Sequence, residues 1–149
     1  MYKRILVPLD GSSLAEAVLP HAISLAQTSG AEIILVRVTL NPAAEFSFSD
    51  PSIASSIIEE SDFETKRYLN TLSAKLESAG LRVSFLIRQG PIAETILEVA
   101  DAMQVDLIAM STHGRSGIQR WLMGSVADRV VRHSQLPVML IRPQKSDAK

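Results

Sequence analysis

The sequence predicts an α/β protein built on a doubly wound, five-stranded parallel sheet. Short apolar runs that suit strands alternate along the chain with longer segments whose apolar residues recur every three or four positions, as in amphipathic helices. The strand candidates are apolar nearly throughout, which is typical of parallel strands covered by helices on both faces. Five strands in this alternation fit the spatial order 3-2-1-4-5, in which ligands bind beyond the carboxyl ends of strands 1 and 4.

The predicted strands are compact and end at turn residues or glycines. They span residues 4–9, 33–38, 82–88, 107–110 and 138–141. Arg37 is the one charged residue inside the second strand. The turn Asp10-Gly11-Ser12 follows the first strand, so the Asp10 side chain is expected at the carboxyl edge of the sheet.

The predicted helices fill the gaps between the strands. They span residues 13–27, from about 57 to Gly80, from Gly90-Pro91 to about Met103, and 124–133. Pro20 lies inside the first of these, where a proline predicts a bend or locally broken hydrogen bonding. Residues 40–56 contain two prolines and many serines and are expected to be irregular.

Composition limits the classes of function. With 149 residues, 46% of them hydrophobic and 21% charged, the chain is expected to form one domain over residues 1–143, followed by a polar tail over 144–149. A formal net charge of −1 offers no broad basic field for nucleic acid or membrane, and no apolar run approaches the length of a membrane span. The absence of cysteine excludes disulfides and a thiol nucleophile. Because the first strand begins within a few residues of the start, we expect no signal peptide and a cytoplasmic protein.

Residues 111–125, between the fourth strand and the last helix, carry the strongest functional signal. Glycines at 114 and 117 permit positive φ and close approach of the backbone, and successive loop amides can form a nest for an anion. Gly124-Ser125 then begins a helix, whose free N–H groups and partial positive charge favour a negatively charged ligand. The segment therefore predicts a phosphate site.

This segment resembles the nucleotide loop of the universal stress protein family, which has a glycine, two residues, a second glycine, nine residues and Gly-Ser or Gly-Thr. Gly114 is the second glycine and Gly124-Ser125 the closing pair, whereas Ser111 replaces the first glycine. The blocks ILVPLDGS (5–12) and LPVMLI (136–141) extend the resemblance over nearly the whole chain. It implies a flavodoxin-like fold of the adenine nucleotide alpha hydrolase type, binding of ATP, or of ADP or AMP, with Mg²⁺, and a homodimer.

The candidate nucleotide-binding residues lie at the carboxyl ends of the first, second and fourth strands and in the segments that follow the first and fourth. They are Pro8, Asp10, Val38, Met110, Ser111, Thr112, His113, Gly114, Arg115, Ser116, Gly117, Gly124, Ser125 and Val126. By resemblance, Pro8 and Val38 pack against adenine. Asp10 could bond a ribose hydroxyl or help to hold phosphate-bound Mg²⁺, or it could bond the amides of its own turn. Ser111 could crowd the phosphates or donate its hydroxyl to them, and serine disfavours positive φ.

Two functions from different classes fit these observations. The first is an ATP-binding universal stress protein that acts as a nucleotide-dependent switch or sensor, with at most weak hydrolysis, because the chain lacks a P-loop lysine and an evident group to position water. The alternative is a nucleotide-free dimeric interaction module of the same family. In both, the apolar last strand, Val138–Ile141, would lie at a sheet edge and is expected to pair with a second copy of itself.

Overall fold

The computed structural model describes residues 1–40, 51–114 and 123–144 and has a five-stranded, all-parallel sheet at its centre. The strands are β1 (Arg4–Pro8), β2 (Glu32–Thr39), β3 (Val83–Gln89), β4 (Leu107–Ser111) and β5 (Val138–Ile141). Their order is β3-β2-β1-β4-β5, which confirms the prediction. The central strand β1 pairs with both β2 and β4, so its carboxyl end lies between theirs.

The helices of the described ranges are α1 (Leu19–Ser29), α2 (Pro51–Ser78), α3 (Ile92–Ala102) and α4 (Ser125–His133), and a 3-10 turn (Ala15–Val18) precedes α1. The predicted first helix is thus divided, and Pro20 lies in the first turn of α1, where its missing N–H costs no hydrogen bond. The predicted irregular stretch is wrong in its last part, because α2 begins at Pro51; residues 41–50 lie outside the described residues.

Two apolar layers cover the two faces of the sheet. Ile5 and Val7 of β1 point to one face and pack with residues of α1 and α2. Leu6 of β1 and Ile34 of β2 point to the other face and pack with residues of α3 and α4. All four side chains are fully buried, which explains why the central strands are apolar at successive positions rather than at alternate ones.

The two edges of the sheet are β3 and β5. All four residues of β5 remain half-buried in the single chain. Within the residues that the structure describes, no helix combines the length and the apolar character that crossing a membrane requires. Of the predicted polar tail, only Gln144 belongs to the described residues.

Candidate functional site

A cavity of about 430 Å³ opens at the carboxyl edge of the sheet, at the ends of β1, β2 and β4. It lies at the switch point between β1 and β4, where the strand order predicts a ligand site. Every candidate residue within the described ranges lines it, namely Pro8, Asp10, Val38, Met110, Ser111, Thr112, His113, Gly114, Gly124, Ser125 and Val126. The remaining candidates, Arg115, Ser116 and Gly117, lie outside the described residues.

One part of the cavity wall is apolar. Val38 of β2 and Met110 of β4 are each 6% exposed and belong to the core layer beneath α3 and α4. Ile92 and Ile96 of α3 extend the same wall. These side chains therefore serve both as core and as cavity lining, and the wall they form suits a flat apolar ring.

Asp10 lies between its own turn and the glycine loop. Its Oδ1 accepts hydrogen bonds from the backbone N–H of Ser12 at 2.9 Å and from Ser12 Oγ at 2.5 Å, as expected for an aspartate that stabilises a turn. Its Oδ2 lies so close to Gly114 that a Cβ at that residue would overlap it. The carboxylate thus holds its turn and also borders the cavity, so both interpretations of Asp10 fit the geometry.

Gly114 fulfils only part of what the sequence predicted for it. Positive φ among the described glycines occurs at Gly11, Gly30, Gly80 and Gly90, and Gly114 is not one of them. A Cβ at 114 would overlap the Asp10 carboxylate, so a side chain at this position requires that carboxylate to move. The close approach that the structure shows at Gly114 is to a side chain of the same molecule, and close approach of the backbone to an anion stays a prediction.

The start of α4 brings backbone N–H groups to the cavity. Gly124 is the N-cap residue, and no side chain caps the helix. The N–H of Gly124 donates to the Thr112 carbonyl at 2.8 Å, which corrects the expectation that this amide is free for a ligand. The N–H groups of residues 125–127 have no acceptor within the described part of the chain, and all three residues line the cavity.

A short polar network joins the end of β4 to the loop that follows. Ser111, the last residue of β4, is 6% exposed, and its Oγ accepts the backbone N–H of His113 at 3.3 Å. Thr112 Oγ1 and His113 Nδ1 are 2.8 Å apart, and the His113 side chain is buried. Ser111 does not have a positive φ, so a serine at this position causes no backbone strain.

The sequence missed the part of the wall that comes from α2 and from the middle of β2. Ser61 and Asp62 of α2 line the cavity, and so does Arg37 of β2. The position of α2 against the sheet depends on packing that the periodicity of the helix does not specify. Arg37 could have been recognised from the sequence as a residue of the cavity wall, because a single charge inside an otherwise buried strand needs a polar environment.

Tyr68 of α2 lies near three charged side chains, those of Glu16, Asp10 and Arg37. Its hydroxyl is buried and makes no hydrogen bond of good geometry within the described ranges, and the nearby Glu16 carboxylate is the acceptor available to it. Burial raises the pKa of this hydroxyl, the carboxylates of Glu16 and Asp10 raise it further, and Arg37 acts in the opposite direction. The phenol is therefore protonated at every physiological pH.

The fold and the site together define an α/β protein whose ligand cavity lies at the switch point of its parallel sheet, beside an uncapped helix start. The model of the universal stress protein family matches residues 1–142, and the chain belongs to this family.

Individual relatives agree with this assignment. Universal stress protein MJ0531 of Methanocaldococcus jannaschii is 31% identical to this chain over 152 residues, which cover 99% of this chain and 86% of that protein. The structure of hypothetical protein MJ0577 of the same organism aligns with a TM-score of 0.85 and 29% identity, over 97% of this chain and 99% of that chain. A universal stress protein family member from Arabidopsis thaliana with AMP bound has the same fold, with a TM-score of 0.72 and 16% identity over 99% of this chain and 95% of that one.

Proposed function

We propose that the chain binds an adenine nucleotide in this cavity and works as a nucleotide-dependent switch or sensor. The observation that supports the proposal most directly is the start of α4, where three N–H groups without an acceptor in the described residues belong to cavity-lining positions. A hydrogen bond from such a group to a charged acceptor contributes about 1.5–3 kcal/mol. A phosphate group at the positive end of the helix would provide these acceptors.

The rest of the wall suits the other parts of a nucleotide. Adenine would pack against the apolar side chains of Pro8, Val38 and Met110, and the Asp10 carboxylate would accept a hydrogen bond from a ribose hydroxyl. Thr112, His113, Gly114 and residues 115–117 would complete the phosphate side. The Arabidopsis thaliana relative with AMP bound supports an adenine nucleotide as the ligand class.

We propose ATP as the ligand, with ADP and AMP as alternatives, and Mg²⁺ bound with the phosphates. In the ranges that the structure describes, no three His, Asp or Glu side chains gather as metal ligands. Phosphate oxygens and water would therefore supply most of the ligands of the ion, with Asp10 as the carboxylate available to it. The buried His113 has Nδ1 in contact with Thr112 Oγ1, and we assign it no catalytic role. Hydrolysis is then at most slow, and the switch would act in a cytoplasmic stress response.

Proline at position 125 tests the proposal by removing one amide hydrogen. Ser125 is the first residue of α4, where proline is readily accepted, and the preceding Gly124 has ψ 152°, as a residue before proline requires. Ser125→Ala is the matched control, because it removes the hydroxyl but keeps the N–H. Calorimetric titration of both variants with AMP, ATP and adenosine, with and without Mg²⁺, separates the amide from the side chain.

We expect Ser125→Pro to bind AMP and ATP about tenfold to a hundredfold more weakly than Ser125→Ala, and to bind adenosine equally well. Equal affinities of the two variants for AMP and ATP would remove the start of α4 from the site. Failure of the wild-type protein to take up ATP, ADP or AMP would refute nucleotide binding altogether.

A dimeric interaction module is the second candidate, and the edge strand β5 favours it. The carbonyl of Pro137 accepts the N–H of Ile108 in β4, and the carbonyl of Ile141 accepts the N–H of Thr112, the residue after β4. Since alternate residues of a strand direct their N–H and C=O to the same side, Val138 and Leu140 direct theirs to the open edge. These two residues are half-buried and apolar, and we propose that they pair with β5 of a second copy. This candidate predicts a dimer that takes up no nucleotide.

A further inference from the structure

We infer that the hydroxyl of Ser111 is a hydrogen-bond donor to the ligand and makes the cavity selective for a phosphorylated ligand over its nucleoside. The inference rests on the proposed function, because it assigns a role to one side chain within the same site. It concerns a residue at which this chain has a serine and the nucleotide-loop pattern of its family has a glycine.

The hydroxyl of Ser111 accepts a hydrogen bond but donates none within the described residues. Its oxygen accepts the backbone N–H of His113 at 3.3 Å. Its own proton is donated to no group within the described residues. The residue is only 6% exposed and lies on the cavity wall. A buried hydroxyl that donates no hydrogen bond is unfavourable, so an acceptor is expected in the cavity when the site is filled.

The neighbouring groups determine the charge of that acceptor. Residues 125–127 line the same cavity, and their N–H groups have no acceptor in the described part of the chain, so several donors belong to residues of one wall. A phosphate oxygen can accept from several donors at once and is favoured by the positive end of α4. Because Ser111 Oγ already accepts from His113, its O–H is polarised and is a stronger donor than an isolated hydroxyl.

The serine contributes a donor of its own. Its oxygen accepts the N–H of His113, and its hydroxyl presents a proton to the cavity, displaced from the main chain by the length of the side chain. A serine at this position therefore preserves a phosphate site rather than blocking it.

The test compares AMP with adenosine in three proteins: the wild type, Ser111→Ala and Ser111→Thr. Adenosine lacks only the phosphate, and threonine keeps the hydroxyl that alanine removes. We expect Ser111→Ala to bind AMP about tenfold to a hundredfold more weakly while its affinity for adenosine stays within about twofold, and Ser111→Thr to keep most of the AMP affinity. Thermal unfolding without ligand verifies the fold of each variant, and Ser111→Cys, with its weakly donating thiol, takes the place of an alanine variant that does not fold.

Three outcomes would overturn the inference. AMP affinity that is unchanged or higher in Ser111→Ala would show that the hydroxyl only occupies the His113 N–H. An equal loss for AMP and adenosine would show that the serine acts through the shape of the loop. In both cases nucleotide binding itself would stand, whereas a wild-type protein that binds no adenine nucleotide would refute the proposed function together with this inference.

Discussion

Replacing Gly124 with alanine separates the structural role of this glycine from any role in ligand binding. Gly124 has φ −59° and ψ 152°, a conformation that alanine adopts readily. A Cβ on this residue would lie 2.7 Å from the Thr112 carbonyl oxygen, closer than a carbon and an oxygen can approach without a bond. Because the obstacle is main chain rather than the end of a flexible side chain, the loop itself must move.

Two opposing terms determine the size of the effect. Overpacking at a tight contact costs about 1–3 kcal/mol, and this figure includes weakening of the 2.8 Å hydrogen bond from the Gly124 N–H to the same carbonyl. Glycine to alanine at a compatible conformation stabilises by about 0.4–1 kcal/mol, because it reduces the freedom of the unfolded chain. The net expectation is a loss of about 1–2 kcal/mol, or roughly 3–6 °C in Tm for a domain of this size.

Thermal unfolding of the ligand-free protein, followed by circular dichroism, measures this shift. Ser125→Ala is the matched control, since it changes the next residue, which is exposed, and should move Tm by less than about 2 °C. A Gly124→Ala protein that melts at or above the wild-type temperature would refute the reasoning, because the unfolded-state term alone would then account for the result.

Two further predictions concern the buried phenol and the open strand edge. Tyr68→Phe removes a buried hydroxyl that makes no hydrogen bond of good geometry within the described residues, so the free energy of unfolding in urea should stay the same or rise by about 1 kcal/mol. Since the folded-state pKa of Tyr68 lies above its ordinary value of 10, the wild type should lose stability as pH rises above 10, and the variant should lose less; equal losses would contradict the assignment. Leu140→Pro removes an N–H that points to the open edge of β5 and should convert the proposed dimer to a monomer in light scattering, whereas Leu140→Ala, which keeps the N–H, should stay dimeric. A monomeric wild type, or a dimeric proline variant, would exclude this edge as the interface.

The strand order was predictable because the apolar runs are short, helices separate them along the chain, and the runs of the central strands are apolar at successive positions; few topologies satisfy these conditions. The two prolines at positions 20 and 51 were harder. In the sequence, Pro20 predicted a bend and Pro51 an irregular segment, yet both lie in the first turn of a helix. A proline is compatible with a helix only where no N–H is needed, and the sequence does not show where the first hydrogen-bonded turn begins.

The contribution of α2 to the cavity was not predictable for a different reason. Ser61 and Asp62 are polar residues on a long helix, and nothing in their spacing distinguishes them from residues that face solvent. Their place at the cavity depends on how far α2 extends past the carboxyl ends of β2 and β3. The position of α2 relative to the strand ends is set by tertiary packing, and the local sequence pattern of the helix does not specify it.

The glycines of the loop show how a motif can be recognised correctly while the reason for it differs. Gly114 leaves room for the Asp10 carboxylate, and Gly124 leaves room for the Thr112 carbonyl, so both glycines serve contacts within the protein. The groups proposed to meet the ligand belong to their neighbours: the amides of residues 125–127 and the hydroxyl of Ser111. Gly124→Ala should therefore lower Tm in the ligand-free protein, whereas Ser125→Pro should change affinity with little change in Tm. If Ser125→Pro lowered Tm as much as the glycine substitution does, or if it left the affinity unchanged, the residues that shape the cavity could not be distinguished from those that bind the ligand.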